Sequence, residues 1–323
     1  MNAQKTGYQK RVKYDFPKYQ GNLFKYDMSS TDGCIVFPIF YGFEGIYPEY
    51  HVNLTCWAMH SFLVNTNIIE KKIPLFFYIE RQLWEPTILQ LKQSGIPDER
   101  FIQWTAPPRV PEWKGQFFAQ KLYTILDPFF DNYDTIIMSD SDIFLSTATE
   151  NQFDMSKLFG RTDKRKYATY GMEKELRGGT GRTPRHALYY GLPDEKSFEL
   201  WKSLVFEHLG LKTEKVHRSD GGLNAWCPKE LKNEFKTFIH KYAKYFGSEE
   251  DVNSLYVQYT GDRFEDLYEK WNIQMVRTTP ELKNYTQEHD HFFIHTRPYR
   301  MPNTEDIEYF RKLIGQYKEV CSS

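Results

Sequence analysis

The sequence predicts an α/β protein built on a mostly parallel, twisted sheet flanked by helices. Three observations carry that reading. Short apolar segments alternate with helix-periodic ones through the first half of the chain. Those segments are nearly continuous in apolar residues, as strands covered on both faces are. The chain has 323 residues, 40% of them hydrophobic, which is enough for one large core and too much for wholesale disorder.

Taken in order, residues 1–30 are expected to form an irregular arm. Residues 34–41 then form a short buried strand running into a loop around Gly42 and Gly45. Asn53 is placed as the cap of a helix that carries Leu54, Trp57, Ala58, Ser61 and Phe62 on one face. A second strand covers 73–79, a helix covers 84–93 before Ser94-Gly95, and a third strand covers 101–104. The run 107–111 holds three prolines and is a rigid loop. Phe118, Leu122, Ile125 and Phe129 make a helical stripe that stops near Pro128, and a strand at 135–138 delivers the chain to Asp140. Alternation of this kind implies right-handed crossover helices, with ligands bound beyond the carboxyl ends of the strands.

Residues 161–186 differ in kind. They are charged, centre on Arg177-Gly178-Gly179-Thr180-Gly181-Arg182, and are expected to form a long functional loop. The last element is a helix from about Asn303, with Ile307, Phe310, Leu313, Ile314 and Tyr317 on one side. No internal repeat or low-complexity tract interrupts the chain.

Composition removes several classes. A net charge of -1 does not suit a protein that binds nucleic acid by broad phosphate neutralisation. The four cysteines, Cys34, Cys56, Cys227 and Cys321, form no C-x-x-C unit, so neither a zinc ribbon nor a disulfide framework is suggested. No run of about 20 apolar residues exists for a membrane span, and residues 1–18 are polar and basic without a signal-like apolar stretch. The expectation is a cytoplasmic enzyme, or a chain trimmed of an anchor. Aromatic residues reach 17%, which is compatible with sugar-binding platforms and equally with an aromatic core.

The strongest chemical signal is Asp140-Ser141-Asp142. In an extended segment, residues two apart point the same way, so both carboxylates would face one point just after an apolar strand. Hard divalent cations take oxygen ligands and share them between protein carboxylates and substrate phosphates. A dehalogenase-type phosphatase also places such a pair after a strand, but after its first one and before a short turn. Here Ile143-Phe144-Leu145 follows, which reads as continued apolar packing.

With Lys121-Leu122-Tyr123, Phe130, and Asp134 through Phe144, this stretch resembles the corresponding segment of GT-A-fold glycosyltransferases. The glycogenin and bacterial retaining galactosyltransferase group is the nearest in character. The similarity is clear over about residues 33–145 and patchy beyond. Ser139 precedes the acidic pair as the usual small residue, and Ser141 stands where Ala is common; neither change removes a ligand. The resemblance implies a single catalytic domain over 31–323. Residues 31–145 would be a Rossmann-like nucleotide-sugar half, 146–300 an acceptor half, and 301–323 a C-terminal helix.

It also implies roles. Asp142 would hold Mn²⁺ or Mg²⁺ on the donor diphosphate, Asp140 would serve metal or ribose, and Ser141 would line the nucleotide. Lys121 would offset phosphate charge, and Phe40 and Tyr41 would lie where the family holds the base. A late His completes the metal shell in the retaining enzymes, followed by a Lys-Pro-Trp-like element. His295 with Arg297-Pro298-Tyr299 resembles a shortened form of it. As a strand, the same segment puts His289, His291 and His295 on one face, so a separate zinc site stays open as an alternative.

Ser219-Asp220-Gly221-Gly222 resembles the turn and strand where small residues let the substrate approach the backbone, with Gly222 against the sugar. Asp220, Glu250 and Asp251 are the candidate catalytic carboxylates; in an inverting enzyme one of them deprotonates the acceptor hydroxyl. In a retaining enzyme they only position the sugar. The expected activity is transfer from a nucleoside-diphosphate sugar, UDP-sugar favoured, to a hydroxyl of a glycan or glycoprotein, with loop 161–186 closing over the site. The competing readings are a nucleotidyltransferase and a catalytically inactive nucleotide-sugar-binding relative. A nucleotidyltransferase needs a basic, Gly-rich loop after the first strand, and residues 40–45 carry no basic residue there.

Overall fold

A computed structural model describes residues 19, 26–39, 48–80, 84–93, 101–104, 124–147, 151–155, 167–175, 207, 215–242, 256, 259, 264–266, 273–274, 283, 291–295 and 304–318. Strand β1 is Cys34–Ile39, and every residue of it is buried. Helix α1 (Pro48–Asn65) leads to β2 (Leu75–Glu80), α2 (Trp84–Gln93) and β3 (Phe101–Trp104). A 3-10 helix at Pro128–Asn132 precedes β4 (Ile136–Ser139) and β5 (Ile143–Thr147). Then come β6 (Tyr167–Glu175), β7 (Lys215–Trp226) and α3 (Pro228–Tyr242). The short strands β8 (Phe264–Asp266) and β9 (Ile273–Gln274) precede β10 (His291–His295) and α4 (Thr304–Leu313).

The strands form two sheets. The larger has seven strands in the order β3-β2-β1-β4-β7-β6-β8, and the smaller has the order β5-β10-β9. From β3 to β4 all neighbours are parallel, while β7 runs antiparallel to both β4 and β6. Chain order leaves β1 in two directions, toward β2 and β3 on one side and toward β4 on the other. A topological switch point therefore lies between β1 and β4, the place where open α/β sheets hold ligands.

Helix α1 joins the two sheets. Fully buried Phe62 meets Phe37 of β1 edge-on at 5.7 Å between ring centroids, and Phe293 of β10 at 5.8 Å. One apolar cluster accordingly runs from Ile35 and Phe77 in the large sheet to Phe144 and Ile294 in the small one, and on to Phe310 in α4. The long C-terminal helix ends on Gly315, whose φ of +75° suits glycine. The N–H of Gln316 bonds the carbonyl of Arg311 and that of Gly315 bonds Lys312, the paired closure of a Schellman cap.

Several expectations shift. Asn53 lies inside α1, not at its cap; its Oδ1 accepts from the N–H of Tyr19 at 2.7 Å, because the helix already starts at Pro48. Tyr19 is buried, so the arm docks on α1 at that point. Residues 124–132 hold 3-10 turns, with Asp127 capping the second by accepting from Phe129 N at 2.9 Å. Phe118 and Leu122 of the proposed stripe lie outside the described residues. Part of the stretch read as loop 161–186 is strand β6, hydrogen-bonded to β7 and β8; its consecutive charges Glu173, Lys174 and Glu175 break the strand period. Tyr317 is not on the packed side of α4. It is 57% exposed beyond the cap, where its hydroxyl donates to Glu308 and Arg311 covers its ring.

Candidate active site at the β4–β5 turn

The acidic pair occupies the crossing between the two sheets. Strand β4 ends at Ser139 in the large sheet, and β5 opens at Ile143 as an edge of the small one. The N–H of Ile143 bonds the carbonyl of Asp140 at 3.2 Å, which makes Asp140 through Ile143 a closed β-turn. The extended geometry expected for Asp140 and Asp142 is thus corrected. No residue of this turn has positive φ, and Asp is favoured at the first position of such a type I turn. A turn, and not an extended strand, therefore carries the two acids.

Both neighbours of β4 shape this end of the sheet. On one side, β1 and β4 are paired only from Cys34↔Ile136 to Val36↔Met138. The N–H of Ile35 points to β2, bonding Pro74 O at 2.9 Å, so alternation turns the nitrogen of Pro38 toward β4. Pro38 has no N–H to extend that ladder, and the strands part where the turn begins. On the other side, pairing with β7 continues to Ser139↔Leu223. The N–H of Asp140 then donates to the carbonyl of Gly222 at 2.7 Å.

Strand β7 is irregular at the same level. Asn224 pairs with Thr169 of β6, but the next partner of β6, Tyr170, pairs with Asp220, leaving residues 221–223 as a bulge. Gly221 and Gly222 both fall in the bulge and leave that stretch of β7 without side chains. Gly222 is buried beside Asp140, and Asp220, just before the bulge, pairs with Tyr170 of β6.

Within the turn, Asp140 and Ser141 are half-buried and Asp142 is buried. A carboxylate withdrawn from water is costly unless charge or hydrogen bonds offset it, and a hard cation is one group that does so. Among the described residues no group of three or more His, Cys, Asp or Glu is arranged to hold a metal. Two carboxylates suit a Mn²⁺ or Mg²⁺ ion that completes its shell with substrate phosphate oxygens and water, as such ions commonly do.

The backbone also brings His295 to this place. In the antiparallel pair of β5 and β10, His295 stands opposite Ile143, the residue after Asp142. Residues so paired are about 4.5–5.5 Å apart at Cα. The same register puts His291 opposite Thr147, at the far end of β5, four residues along the strand from His295. Phe40, Tyr41, Lys121, Glu250 and Asp251 lie outside the described residues, as does His289. Ile39 ends β1 at the switch point.

No protein-family model matches the sequence, and a comparison with curated proteins finds no match either. Solved structures do match. The bifunctional glycosyltransferase WbbM aligns with a TM-score of 0.53 at 10% identity, covering 90% of this chain and 50% of its own. The chain thus spans half the length of WbbM. The galactosyltransferase LgtC, solved with donor and acceptor sugar analogues, aligns at a TM-score of 0.42 and 11% identity over 87% of this chain and 95% of that one. The mannosyltransferase Ktr4p from S. cerevisiae aligns at 0.43 and 8% identity over 77% and 73%. The fold is a GT-A-type mixed α/β sheet flanked by helices, and the chain resembles the glycosyltransferases of that fold.

Proposed function

We propose that the protein is a metal-dependent glycosyltransferase that moves a sugar from a nucleoside-diphosphate donor, UDP-sugar favoured, to a hydroxyl of a glycan or glycoprotein. The observation that carries this reading is the Asp140-Ser141-Asp142 turn, which leaves the large sheet at its switch point with one carboxylate buried. Fold alone does not define chemistry, and this turn supplies the chemical part of the argument.

In this reading Asp142 and Asp140 hold Mn²⁺ or Mg²⁺, with His295 as a third ligand from the paired strand. The cation, when bound, acts as a Lewis acid on the departing diphosphate. Asp140 and Ser141, the less buried members of the turn, orient the ribose and diphosphate. The Gly221-Gly222 bulge lets the donor sugar approach the β7 backbone, since neither residue has a side chain to obstruct it. Phe40 and Tyr41 receive the base on leaving β1, and Lys121 offsets phosphate charge.

The acceptor hydroxyl must lose a proton. Asp220, beside the bulge, is the candidate base whose backbone is described, and Glu250 and Asp251 complete the set. Strand β6 takes residues 167–175 out of the segment 161–186 read as a closing loop, and the rest of that segment lies outside the described residues.

A direct assay is release of the nucleoside diphosphate from UDP- and GDP-sugars in the presence of Mn²⁺. Asp142→Ala should lower the rate by more than the roughly 10–100-fold that loss of a metal site's supporting partner costs. Full activity in that variant, or activity indifferent to chelator, would overturn the proposal.

A further inference from the structure

The metal turn is covalently suspended between two sheets, so its shape depends on how β5 is held as well as β4. Among the described residues, strand β5 is an edge of its sheet and pairs only with β10. An edge strand presents backbone groups that need partners outside the ladder. At Leu145, the midpoint of β5, both are met by one helix. The N–H of Leu145 donates to Ser61 Oγ at 3.0 Å, and its carbonyl accepts from Asn65 Nδ2 at 2.9 Å. Ser61 and Asn65 are one helical turn apart on α1, and both are fully buried.

Asn65 is further tied to the C-terminal hook. Its Nδ2 reaches Leu313 O at 3.5 Å, its Oδ1 accepts from Lys318 Nζ at 3.1 Å, and its carbonyl accepts from Phe153 N at 2.8 Å. Ser146, next on β5, donates from Oγ to the same Leu313 carbonyl at 3.2 Å. Leu145 lies opposite Phe293, two residues along each strand from the pair Ile143–His295. A slip at Leu145 would therefore move Asp142 against His295.

We infer that Ser61 and Asn65 of α1 are positioning residues for the metal site: they clamp both backbone groups of Leu145 and so fix the Asp140–Ile143 turn between the sheets. This rests on the glycosyltransferase reading for the metal, but the clamp is independent of it. Neither residue carries a charge or faces substrate; each acts through β5. Loss of an outer partner of this kind typically weakens a metal site about 10–100-fold.

The test uses the full chain with Ser61→Ala and Asn65→Ala, and Leu231→Ala in α3 as a control destabilised away from the site. Two quantities are read: amide exchange over residues 140–146 in metal-free protein, and affinity for Mn²⁺ alone from the spin resonance of the free ion. In Ser61→Ala, exchange at the turn should rise and Mn²⁺ affinity should fall about tenfold. The control should melt lower with both unchanged. Asn65→Ala should follow Ser61→Ala more strongly; if it does not fold, Ser61→Ala still decides.

Unchanged exchange in Ser61→Ala overturns the clamp. Faster exchange with wild-type Mn²⁺ affinity overturns the positioning role and leaves a purely structural one. A wild type that takes up no Mn²⁺ overturns the functional reading and the positioning role together, while exchange still reports whether the clamp exists.

Discussion

At the residue scale, two buried positions show how local chemistry constrains this chain. His60 is buried, with Tyr19 Oη at 3.2 Å from Nδ1 and the Gly315 carbonyl at 3.0 Å from Nε2. A neutral ring with its proton on Nε2 satisfies both, donating to Gly315 and accepting from Tyr19. Burial holds its pKa below the ordinary His value, against smaller opposing effects of the backbone at Gly315 and Lys318. A depressed His contributes stability that is complete above the unfolded value, about 6.5, and is lost as pH falls toward the folded value. Urea midpoints measured from pH 8 down to 5 should therefore fall in the wild type, and less steeply in His60→Gln. Gly315 gives a second prediction. A Cβ there would come within 2.5 Å of Val64 Cγ2 on a backbone at φ +75°. Gly315→Ala should cost about 2 kcal/mol or more by chemical denaturation, combining left-handed strain with overpacking. Neither effect is visible in the sequence, because Gly315 and His60 are 255 positions apart.

At the element scale, the parallel half was legible because its strands are apolar throughout. Residues 84–93 and 101–104 have the predicted bounds, and β1, β2 and β4 fall within two residues of theirs. The antiparallel half was not. Strand β6, Tyr167–Glu175, carries Glu173, Lys174 and Glu175, so its composition reads as a polar loop, and only pairing to β7 makes it a strand. The acidic pair sits on a turn that closes between the sheets, and such a turn looks like strand continuation in the sequence when apolar residues flank it. What the sequence offered no means of seeing was α1 as the part that couples the sheets. Phe62 is its clearest test: Phe62→Ala removes a ring that touches both β1 and β10, and should cost about 3–5 kcal/mol in unfolding free energy. A loss under about 1 kcal/mol, read from urea denaturation, would show that α1 does not join the two cores.

At the scale of the whole molecule, the chain first passes from the large sheet to the small one at the turn that carries the acids, and α1 packs against both. No helix among the described residues is long and apolar enough to cross a membrane. We propose that this turn takes a nucleoside diphosphate through a cation held by Asp142. The most direct measurement is the thermal shift of the wild type and Asp142→Ala with UDP, GDP and their sugar conjugates, each with and without Mn²⁺. A ligand at a hundred times its Kd stabilises the folded state by about 2.7 kcal/mol, a shift of several degrees. The account predicts such a shift for one nucleotide, only with Mn²⁺, and its loss in Asp142→Ala. A wild type that no nucleotide stabilises, or a shift that survives in Asp142→Ala, would contradict it.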